Sequence, residues 1–132
     1  MRLILTAIVS LLLPIGSLFA QQKEDQDVFV PISKYLQNGD AERLSAWFAH
    51  NLEIDILGSV NVSSKNQAKQ VLKDFFTSYT PKSFTIVHKS GMPPMKYAIG
   101  NLTAGGNVYR VTLFVKVQDE GSFIQSLRIE RQ

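Results

Sequence analysis

Few residues in this chain can do chemistry, and they are scattered. Histidine occurs twice, at His50 and His88. An imidazole ionises close to neutrality, so either could move a proton. His50, Glu53 and Asp55 fall close together and combine imidazole with carboxylate, the ligand types a divalent ion takes. Glu53 and Asp55, however, hold the polar side of an alternating run, where solvated carboxylates are ordinary. No second histidine is near, and no oxygen-rich loop of calcium type follows. No metal and no cofactor is expected. Cysteine is absent, which excludes a thiol nucleophile, a disulfide framework and a lipid-modified N-terminal cysteine. No serine stands in a nucleophile elbow. Gly105-Gly106 opens no helix, so it reads as a hairpin turn and not a phosphate cradle. In the run Ser83 to Ser90, His88 alternates with Phe84 and Ile86, while Thr85, Val87 and Lys89 take the other side. That leaves its face ambiguous. A general base needs a partner within hydrogen-bond reach. The sequence shows none, and a structural histidine is the favoured reading.

The elements that must position these groups are legible. Tyr97–Thr103, Val108–Val117 and Phe123–Arg131 read as three strands of an antiparallel meander, joined by short turns at Ala104-Gly105-Gly106-Asn107 and Asp119-Glu120-Gly121. In the second, Tyr109, Val111, Leu113, Val115 and Val117 form the core side, and Arg110, Thr112, Phe114 and Lys116 the other. In the third, Phe123, Leu127 and Ile129 line one side, and Ser126, Arg128 and Glu130 the opposite one. Phe114, set among polar residues, marks the outer sheet face as a surface for a homodimer or a partner. Cross-strand pairing of Arg110 and Lys116 with Glu130 is the plainer use of that face.

Upstream, a helix begins near Asp27 or Val30, with Phe29, Ile32, Tyr35 and Leu36 at helical spacing, and stops at Asn38-Gly39. Asp40 caps a second, short helix whose apolar stripe is Leu44, Trp47 and Phe48. Leu52–Leu57 alternates as a half-buried strand, Gly58-Ser59 turns, and Val60–Val62 pairs back. Ser64 and Gln67 form a capping box for a third helix. Its stripe is Ala68, Val71, Leu72, Phe75, Phe76 and Tyr79, and Pro81 ends it. A strand over Ser83–Ser90 and a loop at Gly91–Pro94 lead into the meander. The order α-α-β-β-α-β-β-β-β makes one α+β domain over residues 27–132.

Residues 1–20 have the form of a secretory signal: Arg2, an apolar run from Leu3 to Leu13, then Pro14, Gly16 and a small residue at Ala20. The run is short for a membrane span, which takes about 20 residues. The reading is a protein exported to the periplasm or secreted after cleavage near Ala20, with no stable membrane span afterwards. Residues 21–26, polar throughout, read as a disordered lead. The chain carries 14 basic and 11 acidic residues, for a net charge of +3. Without Arg2 the net is +2. That is too small and too evenly spread for a nucleic-acid footprint.

Gln67-Ala68, Leu72-Lys73-Asp74-Phe75-Phe76, Tyr97-Ala98-Ile99-Gly100, Tyr109-Arg110-Val111 and Leu127-Arg128-Ile129-Glu130 carry a resemblance over essentially the whole of residues 21–132. So do the Asn38-Gly39-Asp40 link and Trp47-Phe48-Ala49 before the first strand. The chain resembles the nuclear-transport-factor-two-like (cystatin-like) superfamily, and more narrowly a family of short exported bacterial domains of unknown function. The resemblance implies a strongly curved, mostly antiparallel sheet wrapped around three helices as a cone with a pocket. Members include isomerases, dehydratases and cyclases that use an Asp or His base, and also silent binding domains, so the fold does not assign an activity. By that analogy His88 or Asp55 would be the base of an isomerase- or cyclase-like site. Tyr35, Trp47, Phe76, Tyr79, Tyr97 and Arg110 would line the pocket. The reading favoured over catalysis is a non-catalytic module that binds a small apolar ligand or an envelope protein.

Overall fold

The computed structural model describes residues 27–132, and the signal and lead assigned to 1–26 lie outside those residues. Helix α1 runs Phe29–Asn38 and α2 Ala41–Ser45. Strands β1 (Phe48–Ile56) and β2 (Ser59–Ser64) precede α3 (Lys65–Ser78). Strands β3 (Pro81–Met92), β4 (Met95–Ala104), β5 (Asn107–Gln118) and β6 (Gly121–Arg131) follow. They form one curved six-stranded sheet in the order β2-β1-β6-β5-β4-β3. Neighbours are antiparallel except β1 and β6, which run parallel. The α+β, nuclear-transport-factor-two-like architecture read from the sequence is the one observed.

Local chemistry accounts for the helix ends. Gly39 takes the left-handed backbone (φ 64°) and its N–H donates to the Leu36 carbonyl, ending α1. The Asp40 carboxylate accepts from the Arg43 N–H at 3.0 Å and starts α2. At α3 both halves of the capping box form: Gln67 N–H to Ser64 Oγ at 3.3 Å, and Ser64 N–H to Gln67 Oε1 at 3.1 Å.

The helices pack on one side of the sheet, α1 against β3 and α3 against β1 and β2. Phe29, Ile32, Leu36, Leu44, Leu72, Phe75 and Phe76 meet Leu102, Tyr109, Val111, Leu113, Ile124, Leu127 and Ile129 in a single core. Burying each large apolar side chain contributes about 1.5–3 kcal/mol. This apolar area holds the layers together.

Four assignments differ from the sequence reading. Trp47 and Phe48 are not on a helix: α2 ends at Ser45, and Phe48 opens β1 opposite Ile124. A longer helix would have taken Phe48 from the sheet, where it is fully buried. The β1–β2 turn is Leu57-Gly58, not Gly58-Ser59, and places Leu57 at φ 54°. Strand β3 runs on to Met92, leaving only Pro93-Pro94 as the turn. Phe123 changes sides, because the β5–β6 register shifts after Phe114. Gln125 is the extra residue of that bulge, so Ile124 enters the core and Phe123 faces out opposite Lys116.

Candidate functional site

The side of the sheet away from the helices is uncovered among the described residues, and most of the candidate residues lie on it. The β3–β4 register explains how His88 gets there. Phe84 opposes Leu102 and Ile86 opposes Gly100 on the helix-covered side. Val87 is then an extra residue, and His88 opposes Ile99. The bulge inverts the alternation, so His88 parts from Phe84 and Ile86 and joins Tyr97 on the open face. Its Nε2 lies 3.3 Å from the Tyr97 hydroxyl, with ring centroids 5.6 Å apart. Tyr97 in turn lies 5.6 Å from Phe114, its cross-strand partner on β5. Three rings thus form a ladder across β3, β4 and β5. Met92 and Met95 flank it at the turn, and Phe123 adds a fourth ring beyond Lys116.

The other half of the open face is charged. Asp55 on β1 opposes Arg128 on β6, and Arg128 Nε stands 3.3 Å from Asp55 Oδ2. Asp55 Oδ1 also accepts from the Gly58 N–H at 3.0 Å, so this carboxylate closes a turn and an ion pair. Arg110 faces Glu130, as its strand position requires, and Glu53 faces Ser126. On this face Arg110, Lys116 and Arg128 balance Glu53, Asp55 and Glu130.

The structure places neither of the two alternative bases, His88 or Asp55, in a pocket under the helices. His88 and Asp55 both point away from the helices, on β3 and β1, with β4, β5 and β6 between them. Four strand spacings separate them by roughly 19 Å. A general base in a cone pocket therefore has no support at either residue. The proposed pocket residues also disperse. Phe76 is core, and Tyr35 and Trp47 pack partly buried against that core. Tyr97 and Arg110 belong to the open face, Arg110 because its even-numbered position opposes the core side of β5. Tyr79 lines a cleft at the end of α3 with Asn107, Val108, Tyr109, Arg131 and Gln132. Under α3 the cone is packed by Leu72, Phe75, Phe76, Leu102, Tyr109 and Leu113, all at most 6% exposed. No group of three or more potential metal ligands occurs among the described residues.

Arg131, which lines that cleft, was not named as a candidate from the sequence, and neither was Tyr109. Tyr109 reads as one more core position, and the only signal was a phenol where the alternation reaches a turn. His88, exposed, and Asp55, tied to Arg128, are instead parts of a surface.

Residues 29–130 match the domain of unknown function DUF4783. No curated protein matches the chain. Among solved structures, a DUF4783 family protein from Bacteroides uniformis superposes with a TM-score of 0.76 at 19% identity, covering 80% of this chain and 98% of that one. One from Bacteroides fragilis gives 0.74 at 21% identity, covering 80% and 100%. An NTF2-like protein of unknown function from Silicibacter pomeroyi gives 0.58 at 15%, covering 89% and 95%. At these identities the superpositions establish the fold, and the family match spans the whole described domain between its first helix and last strand. The chain belongs to the DUF4783 family of domains of unknown function, within the NTF2-like fold.

Proposed function

We propose that this domain is a non-catalytic, exported protein-binding module, and that its open sheet face docks a second copy of the chain. The observation that carries this reading is the aromatic ladder His88–Tyr97–Phe114 on a face the helices leave bare. Phe114, its end on β5, is 39% exposed. Met92 and Met95 extend the patch with 79% and 40% exposure. Contiguous apolar surface of this kind marks an interaction site more often than single exposed residues do. The charge pattern favours a copy of itself. Three cations and three anions on one face can pair with the same set in two-fold relation, as an isologous interface requires. A partner of strong net charge would leave half of them unmatched.

Sedimentation velocity on the full-length expressed protein tests the proposal. A concentration-dependent dimer at micromolar levels is the expected result, and Phe114→Glu, which places a charge at the β5 end of the ladder, should return it to monomer. A parent protein that stays monomeric to high micromolar concentration would overturn the second-copy reading. A dimer unaffected by Phe114→Glu would move the interface off this face.

A further inference from the structure

The sheet ends in two free edges, β2 and β3, and they are built differently. Strand β3 is guarded. It carries Pro81, Lys82 and Lys89, its register against β4 shifts twice, and Lys89 is tied to Asp27 at the start of α1. Proline, lysine and bulges are the usual means of keeping a foreign strand off an edge. Strand β2 has none of them. Ser59-Val60-Asn61-Val62-Ser63-Ser64 is uncharged, free of proline and pairs with β1 without a register shift.

The register with β1 fixes which backbone groups β2 leaves open. Just past β1, the Leu57 N–H donates to the Ile129 carbonyl of β6 at 2.8 Å. Odd-numbered residues at this end of β1 therefore bond towards β6 and even-numbered ones towards β2. Ile56 and Ile54 bond Ser59 and Asn61, which turns the N–H and C=O groups of Val60 and Val62 outward along the free edge. The edge closes at Ser64, whose N–H already donates to Gln67 Oε1 at 3.1 Å. Both faces beside it can receive side chains. Val60 and Val62, opposite Asp55 and Glu53, lie on the open face at 56% and 78% exposure. On the helix side a groove of about 470 Å³ lies between β2 and α3, lined by Asn61, Ser63, Gln67, Gln70 and Val71.

We propose that the β2 edge takes an extended, basic segment of another protein as an added strand, with lysine or arginine on its open side and small neutral residues in the groove against α3. Main-chain bonds to Val60 and Val62 supply the affinity, and the alternating side chains select the partner. The open side calls for a cation. Glu53 is exposed and makes no ion pair among the described residues. A lysine opposite Val62 stands two strand spacings from it, about 10 Å, a gap the two side chains can bridge. Its methylenes cover Val62 on the way. The groove holds no charged side chain, only amides, a hydroxyl and Val71, which suits threonine, serine or valine. A second copy of the chain fits less well. Pairing β2 with itself gathers Glu53 and Asp55 of both copies along one seam, with no cation on β2 to offset them. One strand of six residues is also little for two globular surfaces, which bury about 1,200–2,000 Å² in a stable complex.

The test is amide NMR of the isotope-labelled full-length protein, titrated with the capped peptide Thr-Lys-Thr-Lys-Thr-Lys-Thr. The peptide should saturate, with shifts at the amides of Val60 and Val62 and at the side-chain amides of Gln67 and Gln70. Its Thr-Glu-Thr-Glu-Thr-Glu-Thr counterpart should bind about tenfold more weakly or worse, and Glu53→Gln, at an exposed position, should narrow that gap severalfold. Backbone N-methylation of the lysines or of the threonines should abolish binding in one case and spare it in the other, because an added strand bonds β2 through alternate residues only. Val62→Pro removes an outward N–H and no bond to β1, and should also abolish binding. Equal affinity for the two peptides, a gap unchanged by Glu53→Gln, equal effects of the two N-methylated sets, or binding that survives Val62→Pro would each overturn the proposal. So would saturating shifts confined to other parts of the chain, or no saturable shift at millimolar peptide. Shifts at Val60 and Val62 that follow protein concentration without peptide would assign this edge to a second copy and overturn it as well. Repeating each titration in Phe114→Glu keeps the result separate from the open-face dimer.

Discussion

Gly100→Ala is a one-carbon change whose cost follows from the structure. Gly100 lies on the helix-covered side of β4, opposite Ile86 on β3 and Val111 on β5. The Phe84 ring lies over it. A Cβ at position 100 would stand 2.4 Å from Phe84 Cζ, 2.6 Å from its Cε1 and 2.9 Å from the Thr85 carbonyl oxygen. Carbon atoms in good contact are about 3.5–4.0 Å apart, so the ring must withdraw by roughly 1 Å. It has little room to do so, being 7% exposed within the core. The third contact is backbone and cannot rotate away. Overpacking of this kind costs about 1–3 kcal/mol, against which the lost flexibility of glycine in the unfolded chain returns about 0.4–1 kcal/mol. The expected net loss is about 1–2 kcal/mol, or a fall in Tm of about 5–15 °C for a domain of this size. Urea denaturation of the parent, Gly100→Ala, Phe84→Leu and the double variant measures it. Removing the ring should relieve most of the clash, so the cycle should show a coupling of about 1 kcal/mol. A Gly100→Ala protein as stable as its parent, or one whose loss is the same with and without the ring, would refute the packing argument.

Two further predictions concern the helix termini. Ser64→Ala removes the acceptor for the Gln67 N–H at the start of the 14-residue α3 and should cost about 1 kcal/mol in urea denaturation. Asp27→Asn tests the ion pair that joins the start of α1 to β3. Burial pushes the Asp27 carboxyl up, but hydrogen bonds from the Lys89 ammonium and the Phe29 N–H, with the charges of Lys89 and Lys96, outweigh it and hold the group below 3.8. A depressed carboxyl stabilises the fold above its unfolded pKa, and that contribution disappears as pH falls through the folded value. The parent should therefore exceed Asp27→Asn in stability at neutral pH by a fraction of a kcal/mol, since the pair is partly exposed. The difference should start to shrink as pH falls below about 4 and be gone only once the folded carboxyl is itself protonated. A difference that persists in acid would show that the carboxylate charge is not its cause.

What the amino-acid order determined alone was local. The Ser64–Gln67 box, the Gly39 stop, the Asp40 cap and the meander with its turn at Gly105-Gly106 depend on residues a few positions apart, so their chemistry is written where they act. The core side of β5 was legible for the same reason, because alternation holds wherever a strand is regular.

Tertiary structure decided what alternation could not. One extra residue at Val87 and another at Gln125 carried His88 and Phe123 to the open face, and a bulge forms in response to the strand alongside it, not to its own side chains. The parallel pairing of β1 with β6 drew Phe48 into the sheet and set Asp55 against Arg128, far from His88. The cleft of Tyr79, Tyr109 and Arg131 joins a helix end to two strands through residues 22 or more positions apart. Nothing in the local sequence can register such a distance.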